Sequence, residues 1–169
     1  MTVVHTLAQA FAPWQSEYSD SKVVSTAVTG VHLLALLFSG GLAVAADRAT
    51  LLALRGSPGD RRRQLAALRD VHGPVLIALA VLFASGALLA AADVETFASS
   101  PLFWGKLALV ALLLVNGVVL QRTETSLRRS LDAELAPTTL WRRLRVSTWL
   151  SIALWATTTL AGAALVGAA

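Results

Sequence analysis

The stretch VVSTAVTGVHLLALLFSGGLAVAA, residues 23–46, decides the fold: it runs 24 residues without a charged side chain. A helix needs about 20 apolar residues to cross the hydrocarbon core of a bilayer, whereas a surface helix of a soluble domain carries a polar face. Three more runs share this character, at 74–92, 102–120 and 146–168. Their only charge is Lys106, one turn into the third. The expected fold is all-α, an integral membrane four-helix bundle, with residues 1–169 forming a single membrane domain. No Lys or Arg precedes Lys22, so the basic region of a secretory signal is missing and the first run is read as a retained span.

Composition agrees. Hydrophobic residues make up 56% and charged residues 14% of the chain, and the mean hydropathy of +0.66 exceeds what a soluble domain of this length carries. There are no cysteines, which excludes disulfides, thiolate metal sites, iron–sulfur clusters, Cys nucleophiles and covalent haem attachment. Three histidines remain as imidazole sources: His5, His32 and His72.

Working outward from the spans, orientation follows from arginine. Residues 47–73 carry Arg48, Arg55, Arg61, Arg62, Arg63 and Arg69; residues 121–145 carry Arg122, Arg128, Arg129, Arg142, Arg143 and Arg145. The other side has Lys22 and Lys106 beside acidic Glu17, Asp20, Asp93 and Glu95. The positive-inside rule puts both Arg-rich connections in the cytoplasm and both termini outside, in a bacterial inner membrane. Topology therefore accounts for the basic balance without a nucleic-acid partner. Asp20 or Ser21 is suited to cap the first span, Ser100 to cap the third, and Pro74 and Pro101 to open helices. Val4, Leu7, Phe11 and Trp14 predict a short interfacial helix over 2–14, and Leu65 and Leu68 a second amphipathic piece over 61–70. Residues 56–59, Gly-Ser-Pro-Gly, read as a loop.

A faint repeat links the two halves. Arg48-Ala-Thr-Leu after span one matches Arg122-Thr-Glu-Thr after span three, and Ser85-Gly86 in span two matches Ala161-Gly162 in span four. Two helical hairpins of one ancestor would produce it, and so would low-complexity apolar sequence.

Polar and small residues should face the bundle, because lipid tails reward neither. Ser25, Thr29, His32, Ser39 and Ala43 share a face of span one; Ser147, Ser151, Trp155, Thr158 and Gly162 share one of span four. In span three the stripe is Lys106, Val110, Leu113 and Gly117, with Asn116 beside it. Such a seam serves either helix packing alone or a ligand.

His32 lies nine residues into span one, roughly 13 Å below the outer boundary. A buried ionisable group there points to function: a ligand to a b-type haem, or an interhelical hydrogen bond to Ser or Thr. Lys106 either snorkels outward or meets a haem propionate or another anion. His72 is expected about 15 Å deeper than His32, so the two cannot clamp one metal; it reads as an interfacial or capping residue and a secondary metal candidate. His5 is expected on a solvated face. Met1 is the only methionine, so a His/Met pair inside the membrane is excluded. Asp47-Arg48 and Arg69-Asp70 are expected to salt-bridge across the first hairpin, with a proton entry as the alternative reading. Ser/His/Asp spacing, H-E-x-x-H and phosphate-binding glycine loops are missing.

These residues carry a resemblance. Val31-His32-Leu33-Leu34, Gly40-Gly41, Asp47-Arg48, Ser85-Gly86, Phe103-Trp104-Gly105-Lys106 and Asn116-Gly117 look like an uncharacterised four-helix bacterial family. More distantly, residues 20–120 resemble the membrane domain of CopD-type copper-resistance proteins and the HemJ-type protoporphyrinogen oxidases. The resemblance implies haem b ligation by His32 and a functional role for Lys106. Two positions depart from it: Phe38 stands where Trp is frequent, and Asn116 where span three would hold a second His.

The expectation is a haem-b-binding membrane protein for electron transfer or haem-linked redox chemistry, with His32, Lys106, Ser39 and Thr29 around the cofactor. The rivals are a non-catalytic scaffold subunit and a small-molecule or copper transport component. Expected partners are the lipid bilayer, a redox partner or another membrane subunit, and a second copy in a homo-oligomer.

Overall fold

The computed structural model describes residues 2–132 and 137–168; Met1 lies outside them. The elements are α1 (Thr2–Asp20), α2 (Lys22–Ala53), α3 (Pro58–Ala92), α4 (Val94–Ser99), α5 (Pro101–Asp132) and α6 (Thr138–Ala168). Four of them, α2, α3, α5 and α6, are long and apolar enough to cross a membrane. The chain is an all-α, multi-pass membrane protein with four spans.

The helices outrun their apolar runs. α2 has 32 residues and α3 has 35, about 48 and 52 Å at 1.5 Å per residue, against about 30 Å of hydrocarbon. The excess lies at the Arg-rich end. Residues 61–70 are not a separate amphipathic piece but the first turns of α3, with Leu65 and Leu68 buried. The link to α2 is only residues 54–57. It ends in a capping box: Ser57 Oγ accepts from Asp60 N and Asp60 Oδ2 accepts from Ser57 N, with Pro58 in the first turn. Pro74 therefore sits inside α3 rather than opening it, and it offers no N–H to the carbonyl of Asp70. At the opposite end Ser21 caps α2 by accepting from Val24 N, and Ser100 caps α5 by accepting from Phe103 N.

α1 extends past the expected 2–14 to Asp20 and packs on α3, α4 and the start of α2. Trp14 Nε1 donates to Leu88 O at 2.9 Å and Gln15 Nε2 to Ala91 O at 3.3 Å. The Ala91 carbonyl is one of the last four of α3, which have no partner within their own helix.

α2 pairs with α3 and α5 with α6; α2 against α6 joins the two hairpins, while α3 and α5 barely meet. The interior inverts the soluble pattern. Among the described residues, eleven polar and ten apolar side chains are buried, while Leu37, Ile77, Val115 and Leu160 are more than 60% exposed. Lipid solvates those outward aliphatic side chains, and the polar groups turn inward because hydrocarbon cannot satisfy them. Trp155 packs with Leu113 and Leu154 at mid-bundle. Leu54, Leu65, Leu68, Leu127 and Leu144 form a second apolar cluster at the Arg-rich end.

Candidate functional sites

Two polar clusters lie in the bundle, one in each half. In the half nearer α1, His32 of α2 reaches across to α3. Its Nδ1 lies 3.0 Å from Ser85 Oγ. Ser85 donates its single proton to backbone, with Val81 O at 2.7 Å and Leu82 O at 3.1 Å. The serine oxygen is therefore an acceptor toward the imidazole, and Nδ1 carries the hydrogen. The Leu82 carbonyl also accepts from the His32 ring; with Nδ1 as the donor, Nε2 keeps its lone pair, the form in which imidazole ligates a metal. Gly86 sets the closeness of the ring: a Cβ there would stand 3.2 Å from His32 Cε1.

Lys106 repeats this arrangement in the second hairpin. It lies 74 positions after His32, as Arg122 lies 74 after Arg48. Its stem turns inward over α6, where a Cβ on Gly162 would meet Nζ at 3.3 Å. His32 on Gly86 and Lys106 on Gly162 are thus equivalent contacts of the two hairpins. The ammonium acts electrostatically on His32, and no carboxylate pairs with it among the described residues. One turn along α6 from Gly162, Thr158 is 6% exposed and its hydroxyl has no partner. The sequence placed Thr158 on the inner stripe but did not single it out.

The other expected residues separate. Ser39 is fully buried and spends its hydroxyl on Ala35 O at 2.6 Å. Thr29 is exposed and meets Tyr18 of α1 at 3.3 Å. His5 is solvated, with its ring 3.9 Å from Glu95 of α4. His72 lies 13 residues before Ser85 on α3, about 20 Å along the axis, so one metal cannot bridge His32 and His72.

His72 belongs to the second cluster, at the Arg-rich end. Its Nε2 is 3.6 Å from Glu124 Oε2 of α5, and Arg128 Nη2 is 3.9 Å from the same oxygen. Asp47 of α2 does not pair with Arg69; it turns to Ser151 of α6 and within electrostatic reach of Glu124. Glu124 is 2% and Asp47 3% exposed. Asn116 Nδ2 ties α5 to α6 beside them, donating to Ser147 O at 2.9 Å. Glu124 was missed because it falls outside the apolar run of span three; only its 74-residue correspondence to Thr50, also buried, signals an inward position.

No family model, curated protein or solved structure matches the chain.

Proposed function

We propose that this chain is a haem-b-binding membrane protein for electron transfer or haem-linked redox chemistry. It lies in a bacterial inner membrane with its Arg-rich end in the cytoplasm and both termini outside, the orientation that its arginine distribution favours. One observation supports the haem reading: His32 Nδ1 is engaged by Ser85 Oγ, which favours the tautomer with an Nε2 lone pair able to ligate iron. The donor set fits a single protein ligand to the iron, and the unpaired Lys106 ammonium suits propionates. The orphaned Thr158 hydroxyl offers the same seam another polar contact. Haem supplies one-electron redox chemistry when bound. The chain holds the imidazole through Ser85 and Gly86, brings the Lys106 amine within electrostatic reach of it, and keeps the site among apolar helices.

The rival is a non-catalytic subunit in which the His32–Ser85 bond only joins α2 to α3, and that same bond favours it. Absorption spectra of protein purified in mild detergent, oxidised and then dithionite-reduced, separate the two. Haem binding gives a Soret band with sharp reduced α and β bands, lost in His32→Ala and weakened in Ser85→Ala, where haem affinity falls about 10–100-fold with the orienting partner. A colourless protein from a haem-supplemented host overturns the haem reading and leaves the subunit reading.

A further inference from the structure

We propose that His72, Glu124 and Asp47 form a proton-binding relay at the Arg-rich end, independent of the haem reading. Its ligand is the proton, with His72 at the accessible rim and the two carboxyls inside.

The geometry begins with His72. Its Nδ1 is hydrogen-bonded to the Leu68 carbonyl. A carbonyl only accepts, so Nδ1 carries the hydrogen. Nε2 then faces Glu124 Oε2 at 3.6 Å. Without a further proton these are two acceptors aimed at one another. A proton on either atom turns the opposition into attraction: an imidazolium beside a carboxylate, or a carboxylic acid beside a neutral imidazole.

The charges around the pair ask for that proton too. α2 contributes Asp47, α3 His72, and α5 Glu124 with Arg128; α6 meets the cluster with the Ser151 hydroxyl. Two carboxylates face one guanidinium, so one bound proton makes the cluster neutral. Both carboxyls are more than nine-tenths buried, and each keeps an oxygen, Asp47 Oδ2 and Glu124 Oε1, without a hydrogen-bond partner. An uncompensated charge at such depth is costly, and protonation relieves it. Buried carboxyls next to a histidine inside a membrane bundle are the elements of proton pathways.

The side chain of His72 is 29% exposed against 2% for Glu124, so the imidazole is the member that water reaches. A proton held at His72 Nε2 passes to Glu124 Oε2, leaving neutral imidazole and neutral acid. Asp47, within electrostatic reach of Glu124, is the second carboxyl able to hold the proton, with Glu124 then the carboxylate that Arg128 neutralises.

Infrared spectroscopy of the full chain in lipid nanodiscs reads the site directly. Near neutral pH, where exposed carboxyls are ionised, wild-type protein should show a carboxylic-acid C=O band above the amide I region that shifts down in D2O. Asp47→Asn and Glu124→Gln should each remove or displace it. His72→Phe should keep the band and slow its shift after transfer to D2O. No acid band near neutral pH in wild-type protein whose His72 is a neutral imidazole by 15N NMR overturns the proposal, and so does a band indifferent to both carboxyl substitutions. An unchanged exchange rate in His72→Phe overturns the relay through His72. The wild-type spectrum decides the first point even if one variant fails to fold.

Discussion

The adjacent glycines of α2 should respond to alanine with opposite signs. A Cβ on Gly40 would lie 3.1 Å from Trp155 Cε3 and 3.4 Å from Cζ3, whereas one on Gly41 meets nothing within 4 Å. Carbon atoms rest at about 3.5–4.0 Å, so Gly40→Ala intrudes by roughly half an ångström. The indole cannot yield easily: Trp155 is 5% exposed and packed with Leu113 and Leu154. α2 and α6 must separate instead. Overpacking of this kind costs about 1–3 kcal/mol, offset by at most about 1 kcal/mol of helix propensity gained on losing a glycine. Gly41→Ala gains the propensity and loses no contact, for a few tenths to about 1 kcal/mol of stabilisation. The two variants should therefore differ by about 1–3 kcal/mol. SDS titration in mixed micelles, followed by circular dichroism, measures the difference. Trp155→Phe in the Gly40→Ala background should restore part of the loss, with a coupling of at least about 0.5 kcal/mol. Equal midpoints for the two alanine variants, or additive behaviour with Trp155→Phe, would refute the packing described for this crossing.

Two further outcomes concern the Arg-rich half. Asn116→Leu removes the buried bond from α5 to Ser147 O and should cost about 0.6 kcal/mol, at most about 1.7, in the same titration; a stability equal to wild type would argue against the bond. Arg61 donates to Leu54 O at 3.1 Å and lies 5.5 Å from the Trp141 ring centroid, so Arg61→Ala should lower stability by about 1–2 kcal/mol. Arg61→Lys should recover only part of it, because an ammonium lacks the planar stacking surface; full recovery by lysine would show that charge alone acts there.

Much of the architecture was legible along the chain. Four apolar runs, their length and their near-total lack of charge are local properties, and a bilayer imposes one solution on them because every backbone polar group must be satisfied within the segment. The inward stripe of α6 was legible for the same reason: Ser147, Ser151, Trp155 and Thr158 recur at helical spacing, and all four are buried. Helix ends were less legible. Residues 61–70 look like a detached amphipathic piece, because the apolar signal stops at Pro74 while the helix begins at Pro58. Proline inside a helix forfeits one hydrogen bond, and the packing of Leu65 and Leu68 into the core cluster compensates it.

His32 and Lys106 announced themselves in the sequence as ionisable groups in apolar runs, but their partners did not. That Gly86 receives one and Gly162 the other depends on the rotation of each hairpin about its own axis, which interhelical contacts set. Asp47 shows the limit most plainly. Its neighbour Arg48 and the nearby Arg69 suggest a salt bridge, yet Asp47 turns to Ser151 and toward Glu124, 77 positions away. Hydropathy and charge placement act residue by residue and are written in the chain. Which buried group faces which is a sum over four helices packed together, and only the tertiary structure decides it.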